Sequence, residues 1–227
     1  MVREGIPIFP LSTVLFPRMA LPLRVFEPRY LAMVARCIRE RTGFGVALIR
    51  EGEEVGGGAV PEVIGTMARI RAVQHDDEGD ALTLLAMGTE RYRLLDYTTG
   101  PDDYLIGTTS LYRDTPQDTD VVGPLASDAR RLFGHYFASL VSRAGIDLPE
   151  YDLPHNPSDL SFVIAAVIQQ EAARRQAMLE ARDTAQRLAQ EIQMLQDSIE
   201  RLNAMPEASE QILRYDTRHA RELTSRN

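Results

Sequence analysis

The sequence predicts an α+β fold, β-rich in its first half and helical in its second. Three observations carry this. Between Phe44 and Arg113, apolar and polar residues alternate over short runs separated by Gly, Pro and Asp turns, the period-two pattern of half-buried strands. After DTPQDTD (114–120), apolar residues recur every third or fourth position, the pattern of amphipathic helices. The 227 residues are also enough to bury a sizeable core without staples. The expected organisation is a β-rich part over 1–115, a helical part over 116–205 and a charged tail over 206–227.

The elements follow in order. Residues 6–30, IPIFPLSTVLFPRMALPLRVFEPRY, combine a strongly apolar stretch with five prolines: Pro7, Pro10, Pro17, Pro22 and Pro28. Proline donates no backbone hydrogen bond and interrupts a helix interior. The stretch is therefore expected as short extended pieces separated by bends. Met19, Leu21, Leu23 and Val25 alternate with Ala20, Pro22, Arg24 and Phe26, a strand whose proline predicts an edge position or a bulge. Pro28 suits the first turn of a helix. Tyr30, Leu31, Val34, Cys37 and Ile38 supply that helix's stripe, and Thr42-Gly43 its end.

Phe44, Val46 and Leu48 begin the next strand, and EGEEVGGGAVPE (51–62) is a glycine-rich loop. Ile64, Thr66, Ala68, Ile70 and Ala72 alternate again. DDEGD (76–80) turns into ALTLLAM (81–87), Gly88-Thr89 leads to a strand near 90–97, and GPDD (100–103) turns into YLIGTTSLYR (104–113). Short strands at this spacing point to a barrel or sandwich.

Leu125, Ala129, Leu132, Phe133, Tyr136, Phe137, Leu140 and Val141 form one helical face. A loop with three prolines (144–159) separates it from a helix carrying Leu160, Val163, Ile164, Val167 and Ile168. EAARRQAMLEA (171–181) predicts a third helix. Asp183 with Gln186 resembles a capping box opening a fourth. That helix carries Leu188, Ile192, Leu195, Ile199 and Leu202, spaced 4, 3, 4, 3, and Pro206 ends it. This seam packs within the bundle or pairs with a second copy. A monomer or weak homodimer is expected.

Composition narrows the function. The chain is 44% hydrophobic and 26% charged, ordinary for a soluble globular protein. No apolar run approaches the roughly 18 residues that span a bilayer. The opening MVREGIPIFP lacks a continuous apolar stretch ending in a small-residue cleavage site, so no secretory signal is expected, and Cys37 is alone, so no intramolecular disulfide forms. A cytoplasmic location is expected. The formal charge of −8 opposes binding to nucleic acid and to anionic membranes. All 25 basic residues are arginine. Arginine stays protonated where lysine can be tuned, so Schiff-base, Ser–Lys and phosphate-loop lysine chemistry is excluded.

Against that background the ordered motifs are recognisable. Pro7-Ile8-Phe9-Pro10-Leu11, Val14-Leu15-Phe16-Pro17, Met19-Ala20-Leu21-Pro22-Leu23, Phe26-Glu27 and Arg29-Tyr30 resemble the first motif of the Lon protease N-terminal domain family. Gly65-Thr66-Met67-Ala68-Arg69-Ile70 resembles its next strand, and LLAMGTERYR (84–93) its hairpin. Residues 159–168, Gln176 through Glu180 and the leucine-bearing helix resemble its helical half. The resemblance spans roughly 6–203. It implies a PUA-like β pseudo-barrel followed by an α-helical bundle, and a substrate-binding role.

The sequence has no G-x-x-x-x-G-K-[ST] loop and no lysine for a Ser–Lys dyad. The expectation is thus a stand-alone recognition domain, without ATPase or protease activity and without cofactors. With no tryptophan and one cysteine, the ligand pocket and zinc site of the related cereblon branch do not transfer.

The expected function is non-catalytic recognition of proteins or peptides, as an adaptor in proteolysis or quality control. Its expected partners are unfolded or extended protein segments, or a protease or chaperone. The candidate surface is Phe16, Met19, Leu21, Arg24, Phe26, Arg29 and Tyr30, where proline-broken edges offer backbone groups to an extended peptide. The alternative for the five apolar members is a core role. Two other function classes stay open: a small metal-independent hydrolase, although no G-x-S-x-G elbow appears, and a PUA-like RNA reader using arginines such as Arg36, Arg39, Arg41, Arg69 and Arg71. His75, His135, His155 and His219 have no metal-ligand spacing. Cys37 falls on an apolar helical stripe and reads as a packing residue. Gly56-Gly57-Gly58 lacks a following Lys and reads as a flexible hairpin loop. Asp76, Asp77, Glu78 and Asp80 read as a solvated acidic turn.

Overall fold

The computed structural model describes residues 2–76, 81–143 and 152–204, and divides into two compact units. The first takes in the chain up to Arg113 together with Ala172–Glu180; the second takes in Asp114–Glu171 and the chain from Ala181 on.

Seven strands form the first unit: β1 (Val2–Leu11), β2 (Ala20–Val25), β3 (Phe44–Glu51), β4 (Val60–Pro61), β5 (Ile64–His75), β6 (Leu82–Thr99) and β7 (Leu105–Leu111). Helix α1 (Pro28–Glu40) lies between β2 and β3. Neighbouring strands run β1-β7-β6-β5-β3-β4, all antiparallel. β1 also pairs in parallel with β3, which closes the path β1-β7-β6-β5-β3 on itself. Ile8, Ala47, Met67, Tyr92 and Leu94 fill the interior, and the Tyr92 hydroxyl donates to the Val46 carbonyl at 3.2 Å.

Three prolines of the opening stretch fall on strand positions registered with a strand on one side only. β1 is one continuous strand through Pro7 and Pro10, where short pieces are expected from the sequence. Pro7 is registered with β7 alone and Pro10 with β3 alone, the two ladders overlapping at Ile8. Each proline thus has one unpaired side on which a missing N–H is harmless. Pro22 is exposed on β2, which pairs with β6. Helix α1 starts at Pro28 and stops at Glu40, with Arg41 in the left-handed region (φ 54°).

One expected break is absent. Residues 82–99 form a single strand, not two joined at Gly88-Thr89. Gly88 is there for close approach: a Cβ would lie 2.1 Å from the Phe16 carbonyl oxygen. The Arg18 N–H bonds to the Gly88 carbonyl at 2.8 Å, and the Gly88 N–H to that of Met19 at 2.9 Å.

Helix α4 (Ala172–Glu180) belongs to the first unit. The sequence reading assigns it to the helical part; its polar side chains attach it to the sheet instead. Buried Gln176 donates to the Ile64 carbonyl at 2.9 Å. At the other end, Arg91 donates to the Leu179 carbonyl and the Tyr112 hydroxyl to that of Glu180 at 2.9 Å, satisfying carbonyls that a helix C-terminus leaves orphaned.

The second unit contains α2 (Thr119–Arg143), α3 (Pro157–Val167) and α5 (Thr184–Ala204). Asn156 caps α3 by accepting from the Ser158 and Asp159 N–H groups, and Asp183 caps α5 by accepting from that of Gln186 at 3.0 Å. α5 packs along α2 and α3. At its start Arg187, fully buried, forms a bidentate pair with Asp114 (2.9 and 3.0 Å). The expected stop at Pro206 and the tail 206–227 lie outside the described residues.

Candidate functional site

The structure separates the seven residues of the expected surface. Phe16, Met19 and Leu21 are buried in the first unit. Arg175 of α4 stacks 5.0 Å over the Phe16 ring and reaches the Met19 sulfur at 3.8 Å and the Val14 carbonyl at 3.3 Å. All three apolar side chains are core, and Phe16 and Met19 are covered by a cation whose stem is itself apolar. Tyr30 is buried as well, its ring stacked on Phe9 at 4.0 Å. Arg24 and Phe26 are exposed, Phe26 to 53%. Arg24 pairs with Asp76 at 2.9 Å. The hydrogen bond from Arg24, followed by that from Thr83, holds the Asp76 carboxyl below its ordinary value. Of the acidic turn, Asp76 alone is among the described residues.

Two members of the expected surface, Arg29 and Tyr30, meet at an open cavity of about 690 Å³ in the first unit. Its walls come from the start of α1, the triglycine loop, β1, β4 and the β6–β7 hairpin. Local chemistry explains how the walls hold together. Glu27 stands at the N-cap of α1 but makes no side-chain cap bond. Its carboxylate instead accepts from Arg29 at 2.9 Å and from the Gly56 N–H at 3.4 Å. Arg29 also reaches the Glu54 carbonyl at 3.4 Å and lies 4.4 Å over the Tyr30 ring. Gly56, Gly57 and Gly58 all have positive φ (92°, 95° and 78°), a conformation other residues adopt at a cost. At Gly57 a Cβ would also come within 3.3 Å of Arg29. The triglycine is thus a shaped wall of the cavity.

The part of the lining that comes from the β6–β7 hairpin was not singled out in the sequence. Tyr97, Thr99 and Leu105 form it with Asp103 in the hairpin turn. Tyr97 and Thr99 share one face of β6, and Leu105 is registered opposite Thr99. The alternation that marks β6 as a strand ends near Leu94, and residues 95–99 are all exposed. No periodicity distinguishes Tyr97 there. A mostly apolar wall with a few converging polar groups is the usual make-up of a ligand site.

The other candidates lie elsewhere. On α5, Leu188 and Leu195 are buried within the second unit, while Ile192, Ile199 and Leu202 are half-buried. Cys37 is buried, with its thiol donating to the Gly43 carbonyl at 3.6 Å. Burial pushes that thiol up, away from thiolate chemistry. Among the described residues no three His, Cys, Asp or Glu side chains are grouped to hold a metal, and no helix is long and apolar enough to cross a membrane. His219 lies outside the described residues.

Comparison with known proteins places this fold among the N-terminal domains of Lon-type proteases. Residues 5–197 match the family model described as the ATP-dependent protease La (LON) substrate-binding domain, and the chain belongs to that family. Lon protease 2 of Myxococcus xanthus is 28% identical over 199 residues, covering 86% of this chain. The match spans 24% of that relative's own length. A Lon N-terminal domain protein from Xanthomonas campestris has a solved structure that is similar over 90% of this chain and all of its own, at 26% identity and a TM-score of 0.61. The N-terminal domain of Mycobacterium avium complex Lon protease shares the fold over 86% of this chain and 99% of its own, at 20% identity and a TM-score of 0.64.

Proposed function

We propose that this chain is a non-catalytic recognition module that binds extended segments of other proteins and acts as an adaptor beside a protease or chaperone. Its closed strand path would be a PUA-like pseudo-barrel that carries the binding surface. The observation that supports this reading is the open cavity of about 690 Å³ in a substrate-binding-domain family member. Apolar side chains and a positioned guanidinium converge there, as peptide recognition requires. The binding set within the expected surface is then Phe26, Arg29 and Tyr30, with Phe26 next to the Glu27 that lines the cavity. Phe16, Met19 and Leu21 would act indirectly, by shaping the scaffold beneath.

The test is a peptide array of unstructured sequences probed with the full chain and with Phe26→Ala. Phe26 is 53% exposed, so its truncation should leave the fold intact. Binding to apolar peptides that weakens in the variant by about 1 kcal/mol or more is the expected result. Failure of the full chain to bind any peptide overturns the proposal.

A further inference from the structure

Resting on that recognition reading, we infer that the cavity selects extended protein segments carrying a lysine or arginine beside an apolar residue, with the cationic group seated between the Tyr97 ring and the Asp103 carboxylate.

The argument begins with charge. Three charged side chains line the cavity: Glu27, Arg29 and Asp103. Glu27 and Arg29 are 2.9 Å apart and largely buried, so they neutralise one another. Asp103 is exposed and forms no ion pair among the described residues, and Asp102 beside it is exposed too. The cavity therefore presents one unbalanced carboxylate at its hairpin end, in a chain whose formal charge is −8. An anionic segment is repelled there and a cationic one attracted.

Geometry supplies the second part. Tyr97, 39% exposed, and Asp103 both line the cavity, one on β6 and the other in the turn that follows it. Aromatic face and carboxylate together form a seat for an ammonium or guanidinium group, the ring through its quadrupole and the carboxylate through its charge. The stem of such a side chain is apolar and matches the Leu105 and Val60 surface that continues into the cavity. Backbone conformation fits as well. Asp103 has a positive φ of 60° and its N–H is tied to the Gly100 carbonyl at 3.1 Å, so the turn itself fixes where the carboxylate is carried.

The experiment uses the full chain and fluorescence anisotropy with labelled, unstructured peptides. The peptides share their apolar residues and differ only in carrying Lys, Ser or Glu at the same flanking positions. The expected order is Lys, then Ser, then Glu, with the Lys form about three- to tenfold tighter than the Ser form at low salt. Asp103→Asn keeps a residue that tolerates positive φ, and Tyr97→Leu keeps an apolar surface; each should narrow the Lys-to-Ser ratio. Equal binding of all forms, or a ratio unmoved in both variants, overturns the selectivity while leaving recognition standing. Absence of binding by every form overturns both.

Discussion

Arg187→Met removes the group around which the second unit's polar interior is organised. Arg187 is fully buried. Its guanidinium donates to both Asp114 carboxylate oxygens (2.9 and 3.0 Å), to the Ala181 carbonyl (2.8 Å) and to the Ser161 hydroxyl (3.0 Å), and it lies 4.3 Å over the Phe162 ring. Methionine keeps much of the volume and the apolar contact with Phe162 but satisfies none of the acceptors. Asp114, its side chain 16% exposed, retains the hydroxyls of Ser158 and Thr184 and loses the bidentate guanidinium. Breaking a buried pair by removing one partner costs about 3–5 kcal/mol. That is a large share of the roughly 5–15 kcal/mol that holds a domain folded. The assay is urea unfolding followed by helical circular dichroism, with the double variant Arg187→Met, Asp114→Asn alongside. Asparagine removes the carboxylate charge that the Arg187 guanidinium met, so the double variant should recover a substantial part of the loss. A single-variant cost below about 1 kcal/mol, or a double variant no better than the single, would refute the reasoning.

Two further predictions come from buried groups. Glu191 is fully buried; its Oε1 accepts from Ser161 at 2.8 Å and its Oε2 has no hydrogen-bond partner. Burial raises its carboxyl well above the ordinary value, against the smaller lowering effects of the Ser161 bond and the Arg187 charge. A raised folded value means its stabilising contribution is complete below about pH 4.3, the unfolded value. That contribution is lost as pH rises toward the folded value. Glu191→Gln should therefore gain stability relative to the parent as pH rises above that point, read as a widening gap in urea midpoints between pH 4.5 and 8; a constant gap contradicts it. Gly88→Ala should lower stability by about 1–3 kcal/mol, because its Cβ would lie 2.1 Å from the Phe16 carbonyl oxygen. Thermal unfolding of this variant beside Gly58→Ala, which meets nothing within 4 Å and is strained only by its φ of 78°, distinguishes collision from backbone strain.

The sequence by itself determined most of the elements and their order, though not the continuity of β1 and β6. Period-two alternation located β2, β3 and β5, and the 3.6-residue stripe located α1, α2, α3 and α5, because burial of one face writes itself into local spacing. The Asp183–Gln186 cap was legible for the same reason: its partners are three residues apart. Tertiary structure decided what depends on partners distant in sequence. α4 joins the sheet through Gln176, Arg91 and Tyr112, whose partners are 68 to 112 residues away. Phe16 and Met19 are core beneath Arg175, roughly 160 residues on. The candidate site has the same origin. Arg29 and Tyr30 sit in a readable motif, but Tyr97, Asp103 and the triglycine line one cavity with them only once β1, β4 and the β6–β7 hairpin are assembled. Local spacing records which side of an element is buried, and carries no record of which other element buries it.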